Sequence, residues 1–530
     1  MSASSPGEEV SWRRLRRFLF MGSESNRYLR SKRHPCIDNA FTIKELIHRG
    51  RGLDVVVLIL RYSTEKISIC PEALAFSLAV CAQSTDIATK SAAYGALKQV
   101  CNTAATLFAF TKYMEDTQRP LTTGWGRAHR SSVKKWYLSH NTRELAEMVT
   151  KTVSRYRWSH RDVLRLAHVK PPSLGVSCVF RYVSRGFHDA KEKYGTCDDL
   201  EVKDTLTYLQ AVYDLKQAPT AAQAAKVMKN NPLAVEHIPT RYLHARDVWL
   251  ACMSRAPIES ILEWLPHLAH SNLLRPSLGL LRIIMQRISC DSVMTNCPWD
   301  PCATYVLMRT ICSTSIHSTL PPTPEVPPTA RQLQEILYNL HMASFKQMRP
   351  TLKNYLIVTD VSNGMWHSGS AAHPVTAIEA SILLAMSLCR QEGLVGGRVQ
   401  ALAFGRAGLH DLEINQKMTM ADLLERCEEV DPGTASLCLP LRWASQRNNE
   451  FDVIIVCTDR QCNTVDTVHP AEALKDYRRI CNVNDAKYVT CAWFSRGFAV
   501  APPDEAGMLD VCCFDENIIK IIVNFALDNI

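Results

Sequence analysis

The sequence predicts a two-part protein in which an α-solenoid of HEAT-type helical repeats is followed by a doubly wound α/β domain. Residues 1–320 contain one helical pattern after another, without an alternating strand pattern. A stretch with five prolines follows at 320–330, and beyond it short apolar runs alternate with helical segments. We therefore place the domain boundary at 350/351, which gives domains 1–350 and 351–530.

Capping residues and prolines divide the first domain into helices of ordinary length. Thr85 or Asp86 can cap a helix, and Ser159 forms a capping box with Asp162 at the start of another. Two prolines after Lys170 should end that second helix nearby. Short helices continued over roughly 300 residues favour a repeating solenoid, because the core of one compact bundle would become too large.

The second domain is predicted from four short apolar runs that are typical of buried parallel strands. These runs lie at 355–360, 401–404, 451–459 and 486–494. Helical segments precede, separate and follow them at 331–347, 376–391, 419–429, 470–480 and 515–527. Strands that alternate with helices in this way indicate a parallel sheet covered by helices on both faces.

Composition excludes several classes of protein. No run reaches the about 20 apolar residues that a membrane-spanning helix needs, and no apolar signal core follows the N-terminal arginines. The 20 cysteines contain no Cys-x-x-Cys pair, which favours reduced, buried thiols over a disulfide framework. Cys297 and Cys302 are the best zinc candidates, although a structural role is favoured. We expect no membrane association and a cytoplasmic location, with the nucleus as a second compartment.

Charge is distributed unevenly along the chain. Residues 353–530 contain 15 basic and 23 acidic side chains, whereas the segment 119–188 contains 14 lysines and arginines against three acids. Like charges at this density repel one another unless an anion compensates them, so the segment predicts a polyanionic partner. Aromatic residues are interleaved; helical spacing assigns most of them to the core, and exposed rings would stack on bases. The candidate phosphate ligands are Arg127, Arg130, Lys134, Arg161, Arg165 and Lys170.

A candidate cation site lies where the predicted strands end. Asp360 and Ser362 follow the first strand, Asp459 ends the third, and Thr434 lies in a loop, so all four could offer oxygen ligands at one edge of the sheet. Such a set resembles a metal-ion-dependent adhesion site, for which Mg²⁺ is the expected ion. The pattern is degenerate, because Gly364 replaces its second serine and Ala435 follows the threonine. The alternative is that both aspartates only cap the next elements.

Motifs for catalysis are missing from the sequence. It contains no phosphate-binding loop, no His-Glu-x-x-His and no nucleophile elbow. Gly405-Arg-Ala-Gly408 has the spacing of an RNA-clamping loop, but a turn is the better interpretation. The sequence therefore predicts a binding protein and not an enzyme.

Several long motifs resemble one known family. They are FLFMGSESNRY at 18–28, LAFSLAVCAQSTDIATKSAAY at 74–94, GWGRA at 124–128, WSHRDVLRLAHVKPPS at 158–173, VHPAEALKDYRR at 468–479 and GFAVAPPDEAGMLDVC at 497–512. Together they resemble the sixty-kilodalton Ro ribonucleoprotein autoantigens, which carry a TROVE domain. The resemblance implies a ring of HEAT-like repeats closed by a von Willebrand factor A domain.

The resemblance also implies a function. In that family a basic outer surface binds Y RNAs, and a central cavity accepts single-stranded ends of misfolded non-coding RNAs such as 5S rRNA precursors, in RNA quality control. The positions that match the family's Y RNA contacts are Lys151, Arg155 and His168. The first two stand at i and i+4, and we expect them on one face of one helix. His168 should end the next helix, with a buried core histidine as the alternative.

Two other classes remain as alternatives. The A domain could serve as a metal-dependent scaffold that binds protein partners, as adhesion receptors do. A hydrolase acting on RNA is disfavoured, because no paired acids with a base are seen.

Overall fold

The computed structural model describes residues 6–29, 35–36, 40–117, 125–274, 279–315, 328–370, 373–459, 466–495, 497 and 499–530. By compactness the chain forms two units. The first comprises Met1–Glu24 and Arg33–Pro257, and the second Ser25–Lys32 and Ile258–Ile530. The boundary at 350/351 rests on a different feature, the change from helices to alternating strands and helices. This change lies between the helical turn at Phe345–Gln347 and the strand at Tyr355–Thr359.

The first unit is helical, as predicted. Its described helices are α1 (Pro6–Met21), α2 (Phe41–His48), α3 (Gly52–Thr64), α4 (Pro71–Ala82), α5 (Ile87–Val100), α6 (Ala104–Asp116), α7 (Arg127–Leu138), α8 (Thr142–Lys151), α9 (His160–Ala167), α10 (Leu174–Arg185), α11 (Phe187–Tyr194), α12 (Leu200–Gln217), α13 (Ala221–Asn230) and α14 (Arg246–Met253). That these helices repeat in HEAT-like pairs stays a prediction.

The predicted caps locate two of these helices. Asp86 is the N-cap of α5, and its carboxylate accepts hydrogen bonds from the backbone N–H groups of Ala88 and Thr89 at 3.3 and 2.9 Å. Ser159 is the N-cap of α9 and accepts from the N–H of Asp162 at 3.3 Å. These side chains satisfy donors that the first helical turn leaves without partners.

The second unit contains the α/β domain. Its described helices are α15 (Ile258–His270), α16 (Leu280–Ile288), α17 (Asp291–Thr295), α18 (Pro301–Ser315), α19 (Pro328–Ser344), α20 (Ala377–Gly393), α21 (Met420–Glu428), α22 (Leu439–Gln446), α23 (Pro470–Ile480) and α24 (Ile518–Ala526). The strands, with two short ones of the first unit included, are β1 (Arg27–Tyr28), β2 (Ser154–Arg155), β3 (Trp158–Ser159), β4 (Tyr355–Thr359), β5 (Ser368–Ser370), β6 (His373–Thr376), β7 (Val399–Gly405), β8 (Gly408–Asp411), β9 (Val453–Thr458), β10 (Lys487–Ala492) and β11 (Met508–Val511).

Seven strands form one sheet in the order β1-β11-β10-β9-β4-β7-β8. All neighbouring pairs are parallel except β7 and β8. The prediction of a parallel sheet is therefore confirmed, apart from the antiparallel edge strand β8, which was not predicted. Leu356 and Val358 of the central strand β4 are buried in a cluster with Leu441 of α22 and Leu474 of α23. The other face of the sheet packs against α20, which contacts β4 and β7.

The strand order places a topological switch point beside β4. From β4 the chain continues to β7 on one side and then returns to β9 on the other. Ligand sites of doubly wound sheets lie at such a point, outside the carboxyl ends of the strands. Asp360 and Asp459 directly follow the two strands that meet there.

The outermost strand β1 comes from the N-terminal part of the chain. Arg27 and Tyr28 pair in parallel with Asp510 and Val511 of β11. The Tyr28 hydroxyl donates to the carboxylate of Asp515 at 2.6 Å, and burial raises its pKa far above the usual value. Periodicity could not predict a two-residue strand whose partner is so distant in sequence.

Two bulk expectations concern membranes and thiols. Among the described helices, none combines the length and the apolar character needed to cross a membrane. The described cysteines are free thiols, and Cys297 and Cys302 are both buried. Burial raises the pKa of each of these two thiols, which keeps them protonated and favours their structural role.

Candidate nucleic-acid interface

The nine residues predicted to bind RNA, eight lysines and arginines together with His168, lie at the surface of the first unit. Eight of the nine are exposed, and Lys134 is half-buried. Arg127, Arg130 and Lys134 stand at i, i+3 and i+7 of α7, and therefore share one face of that helix. Arg161 stands one turn before Arg165 on the short helix α9.

The expectation that Lys151 and Arg155 lie on one helix is wrong. Helix α8 ends at Lys151, where Thr152 leaves the helical region with φ −117° and ψ 84°. Arg155 lies on β2, which pairs with β3 in an antiparallel hairpin. The sequence predicts no strand in this region, because two-residue strands have no measurable periodicity and neither glycine nor proline marks the end of the helix.

The hairpin turns through two residues with left-handed backbone, Tyr156 at φ 54° and Arg157 at φ 66°. Positive φ at both central positions matches the twist of a tight hairpin, but it is unfavourable for side chains other than glycine, asparagine and aspartate. Contacts to neighbouring helices hold the turn: the Tyr156 hydroxyl donates to Glu72 of α4, and Lys112 of α6 lies 5.5 Å from the Tyr156 ring. Arg157 is thereby exposed to solvent and adds a cation to the predicted set.

His168 follows the next helix, as predicted. It is the C-cap of α9, in left-handed backbone with φ 51°, and its side chain is exposed. The alternative of a buried core histidine is therefore wrong. The helix ends at Ala167, three residues before Lys170, because the left-handed residue reverses the chain before the two prolines are reached.

Some of the cations already have carboxylate neighbours. Lys151 Nζ lies 3.7 Å from Glu147, Arg155 Nη2 lies 3.4 Å from Glu72, and Arg165 Nη2 lies 3.8 Å from Asp162. Exposed pairs of this kind contribute about 0 to 1 kcal/mol and are screened by salt, so a phosphate can replace the carboxylate.

The remaining cations leave a net positive surface. Within the part of the chain that the structure describes, no ion pair involves Arg127, Arg130, Lys134, Arg157, Arg161 or Lys170. The few acids of the segment therefore compensate only part of its charge. An excess of exposed cations on adjacent elements is the electrostatic pattern that attracts a phosphate chain.

Most aromatic rings of the segment are core residues, as expected. Trp136, Tyr137 and Phe187 are buried. Trp125 and Trp158 are half-buried, and their ring centroids lie 5.8 Å apart, which joins the hairpin to the start of α7. The residues available to RNA are therefore mainly cationic.

The oxygen ligands predicted for a cation are partly brought together. Asp360 is 5% exposed, and its carboxylate accepts from the N–H of Ser362 at 2.9 Å and from the hydroxyl of Thr458 at 3.4 Å. Burial raises the pKa of Asp360, and the nearby charge of Asp459 raises it further. Two adjacent carboxyl groups with such a shift favour a cation between them.

The degenerate position of the pattern has a structural counterpart. A Cβ atom on Gly364 would lie 2.4 Å from Oδ2 of Asp459, so the carboxylate occupies the space of the missing serine side chain. Thr434 is exposed in a loop that is fixed by a hydrogen bond from Gly433 N to Phe404 O at the end of β7. The described residues contain no group of three or more His, Cys, Asp or Glu side chains placed to hold a metal. The two carboxylates therefore fit a hard cation only if hydroxyl groups and water molecules complete its coordination shell.

The fold and its basic surface define the class of this protein: a helical domain joined to an A-type α/β domain. Residues 4–260 match the TROVE domain model, and residues 354–526 match the model of the Ro60 vWA domain. The two models together cover most of the chain, which belongs to the Ro60 family.

Relatives from distant organisms share this architecture. The chain is 26% identical to the RNA-binding protein RO60 of Caenorhabditis elegans, over 97% of this chain and 88% of that protein. It is 23% identical to the RNA-binding protein RO60 of Deinococcus radiodurans, over 97% and 92% of the two chains. The crystal structure of the D. radiodurans RO (RSR) protein superposes with a TM-score of 0.83 at 22% identity, covering 98% of this chain and all of that one, and shows the fold.

Proposed function

We propose that this chain is a non-enzymatic RNA-binding protein that binds structured RNA through the exposed cations around α7, α9 and the β2–β3 hairpin. The observation that carries the proposal is the excess of exposed cationic side chains over carboxylates on these adjacent elements. The names of the curated relatives support it, since both are RNA-binding proteins.

The finer proposal concerns the kind of RNA. By its family, the chain binds Y RNAs at Lys151, Arg155 and His168 and receives single-stranded ends of misfolded non-coding RNAs, in RNA quality control. The structure offers these three residues as exposed side chains at the end of α8, on β2 and after α9. Their separate elements are suited to contacts with the shape of a folded RNA, because each approaches a different part of a backbone.

Fluorescence anisotropy with a labelled Y RNA tests this proposal. We expect the triple variant Lys151→Ala, Arg155→Ala, His168→Ala to bind at least about tenfold more weakly, with a smaller salt dependence, because each phosphate contact releases counterions. The matched control is Lys226→Ala, Lys229→Ala, which removes two exposed cations of α13 in the same unit. Equal affinity and salt slope in the triple variant and the wild type would refute the proposed surface. Sequencing of RNA that co-purifies from cells would identify the natural ligands.

A second function is supported by the close approach of Asp360 and Asp459 at the switch point. We propose that this edge of the A domain binds Mg²⁺ and, through it, a carboxylate of a protein partner. Such a partner should remain bound after nuclease treatment and be released by a chelator. Release by nuclease alone would assign the interaction to RNA.

A further inference from the structure

A pocket lies in the second unit, beside the C-terminal helix α24. Its volume is about 320 Å³, which is at the lower end of the range of small-molecule sites. The turn 297–300 before α18, the segment 344–349 at the end of α19, α20 and α24 all contribute lining residues. These elements belong to one compact unit, so the pocket is part of a single folded body.

One lining residue carries a buried acceptor that lacks a donor. Gln391 of α20 is 1% exposed. Its amide Nε2 donates to the backbone oxygen of Arg349, whereas Oε1 has no hydrogen-bond partner among the described residues. A buried acceptor without a donor destabilises the folded state. A ligand with an N–H group in the pocket would therefore gain affinity from this atom.

The charged residues that line the pocket have both signs: Asp300, Arg349 and Lys520. Oδ1 of Asp300 accepts from the backbone N–H of Ala303 at 2.9 Å, which fixes the carboxylate at the start of α18. Burial raises the pKa of Asp300 to about 6 and lowers the pKa of Lys520. Because a nearby opposite charge reverses such shifts, the pocket favours a ligand that supplies both a cation and an anion.

The rest of the lining is largely apolar. Trp299, Met348 and Val523 are half-buried, and each contributes apolar surface to the pocket. Apolar side chains around a few convergent polar groups are typical of pockets that bind small molecules. The ligand should therefore carry an apolar group in addition to its two charges.

We infer that this pocket binds a free α-amino acid with an apolar side chain. Its α-ammonium group donates to Oε1 of Gln391 and lies beside Asp300. Its α-carboxylate pairs with Arg349 or Lys520, and its side chain packs against Trp299. A simple anion would leave the acceptor of Gln391 without a donor, and a neutral molecule would leave the charged groups without partners. The inference is independent of the proposed RNA binding.

Ligand-observed NMR titrations of the full-length chain test the inference. The probes are L-phenylalanine and L-leucine, each compared with its N-acetyl derivative, which lacks the ammonium group, and its amide, which lacks the carboxylate. We expect at least one of the two amino acids to bind and to raise the melting temperature. Its two derivatives should bind at least about tenfold more weakly, because each loses a charge-assisted hydrogen bond.

Two variants locate the binding site. Arg349→Ala and Gln391→Leu should each weaken binding of the amino acid about tenfold. The side chain of Arg349 is exposed, so its removal leaves the core intact, and this variant decides the test even if Gln391→Leu does not fold. The matched control is Arg442→Ala, which removes an exposed cation of α22 in the same unit, outside the pocket. It should bind the amino acid like the wild type.

Three outcomes would overturn the inference. If the amino acids and their derivatives bind equally well, the pocket does not recognise the two charged ends. If Arg349→Ala binds like the wild type, the ligand lies elsewhere. If neither amino acid binds at millimolar concentration, a water molecule is the only partner of Gln391 Oε1, and the pocket has no amino-acid ligand.

Discussion

The hydroxyl of Tyr156 donates a hydrogen bond to the carboxylate of Glu72, although the two residues are 84 positions apart in the chain. This contact ties the β2–β3 hairpin to α4. The same carboxylate also neighbours Arg155, so Glu72 fixes both the turn and one cation of the candidate interface. The pKa of Tyr156 is raised to about 12 by burial and by this hydrogen bond, which keeps the hydroxyl a donor at all physiological pH values.

Tyr156→Phe should loosen the hairpin without changing any charge. The turn residues have left-handed backbone, which costs about 1 kcal/mol or more per residue and persists only while surrounding contacts hold it. We expect a loss of about 1 kcal/mol in the free energy of unfolding, faster hydrogen exchange at 154–159, and severalfold weaker binding of RNA.

Tyr182→Phe is the matched control, because Tyr182 is a half-buried tyrosine of the same unit outside the hairpin. Normal exchange and normal RNA affinity in Tyr156→Phe would show that the hydrogen bond to Glu72 does not organise the interface.

The buried histidine at position 129 predicts a pH dependence of stability. Burial lowers the pKa of His129 to about 4, below the value near 6.5 of an unfolded chain. The unfolded state therefore takes up a proton between pH 6.5 and 4, while the folded state does not. The contribution of the neutral His129 ring to the free energy of unfolding is fully present above pH 6.5. It is lost as the pH falls below that value, by up to about 1.4 kcal/mol per pH unit.

His129→Phe should remove this contribution. Nε2 of His129 is buried without a hydrogen-bond partner among the described residues, so an apolar ring of similar shape should leave stability at pH 7 unchanged or higher. Urea unfolding at pH 7, 6 and 5 would measure the effect. A pH dependence identical to that of the wild type would contradict the shifted pKa.

Lys487 of β10 anchors the end of helix α24. Its ammonium group is buried and donates to the carbonyl oxygens of Phe525 and Ala526 at 2.7 and 2.9 Å, which satisfies the end of α24. Lys487→Met should lower the free energy of unfolding by about 2 kcal/mol, because two buried acceptors lose their donor. Lys475→Met, at an exposed position, should change it little; equal effects of the two substitutions would contradict the anchoring role.

The sequence predicted those elements whose signals are local. The strands β4 and β9 are mainly apolar runs and, like β10, are buried along their whole length. The caps Asp86 and Ser159 mark helix starts directly. What it missed depends on distant partners. Strand β1 exists only through its pairing with β11, and the β2–β3 hairpin only through contacts with α4 and α6.

The candidate interface shows the same division. Exposure of the cations followed from charge density, since unbalanced charges are rarely buried. The positions of Lys151 and Arg155 could not be predicted, because no glycine or proline marks the end of α8. The contact between Gly364 and Asp459 could not be predicted from the sequence either, since it joins segments that follow two strands adjacent only in the folded sheet.

That last contact leads to a prediction about the cation site. If Asp360 and Asp459 hold Mg²⁺, then Mg²⁺ should raise the melting temperature of the wild type and EDTA should lower it, because a ligand that binds only the folded state stabilises it. The effect should weaken as the pH falls, since the pKa of Asp360 is raised and protons compete with the metal. Asp360→Asn should abolish the response to Mg²⁺.

Gly364→Ser provides the sharper variant. It restores the serine of the adhesion-site pattern, but its Cβ would overlap the carboxylate of Asp459. We therefore expect the substitution to displace Asp459 and to weaken the thermal response to Mg²⁺. Gly497→Ser, where a Cβ meets nothing within 4 Å, is the control. A stronger response in Gly364→Ser would mean that Asp459 moves aside without loss and that the serine is the better ligand; no response in any form of the protein would rule out a cation at this edge of the sheet.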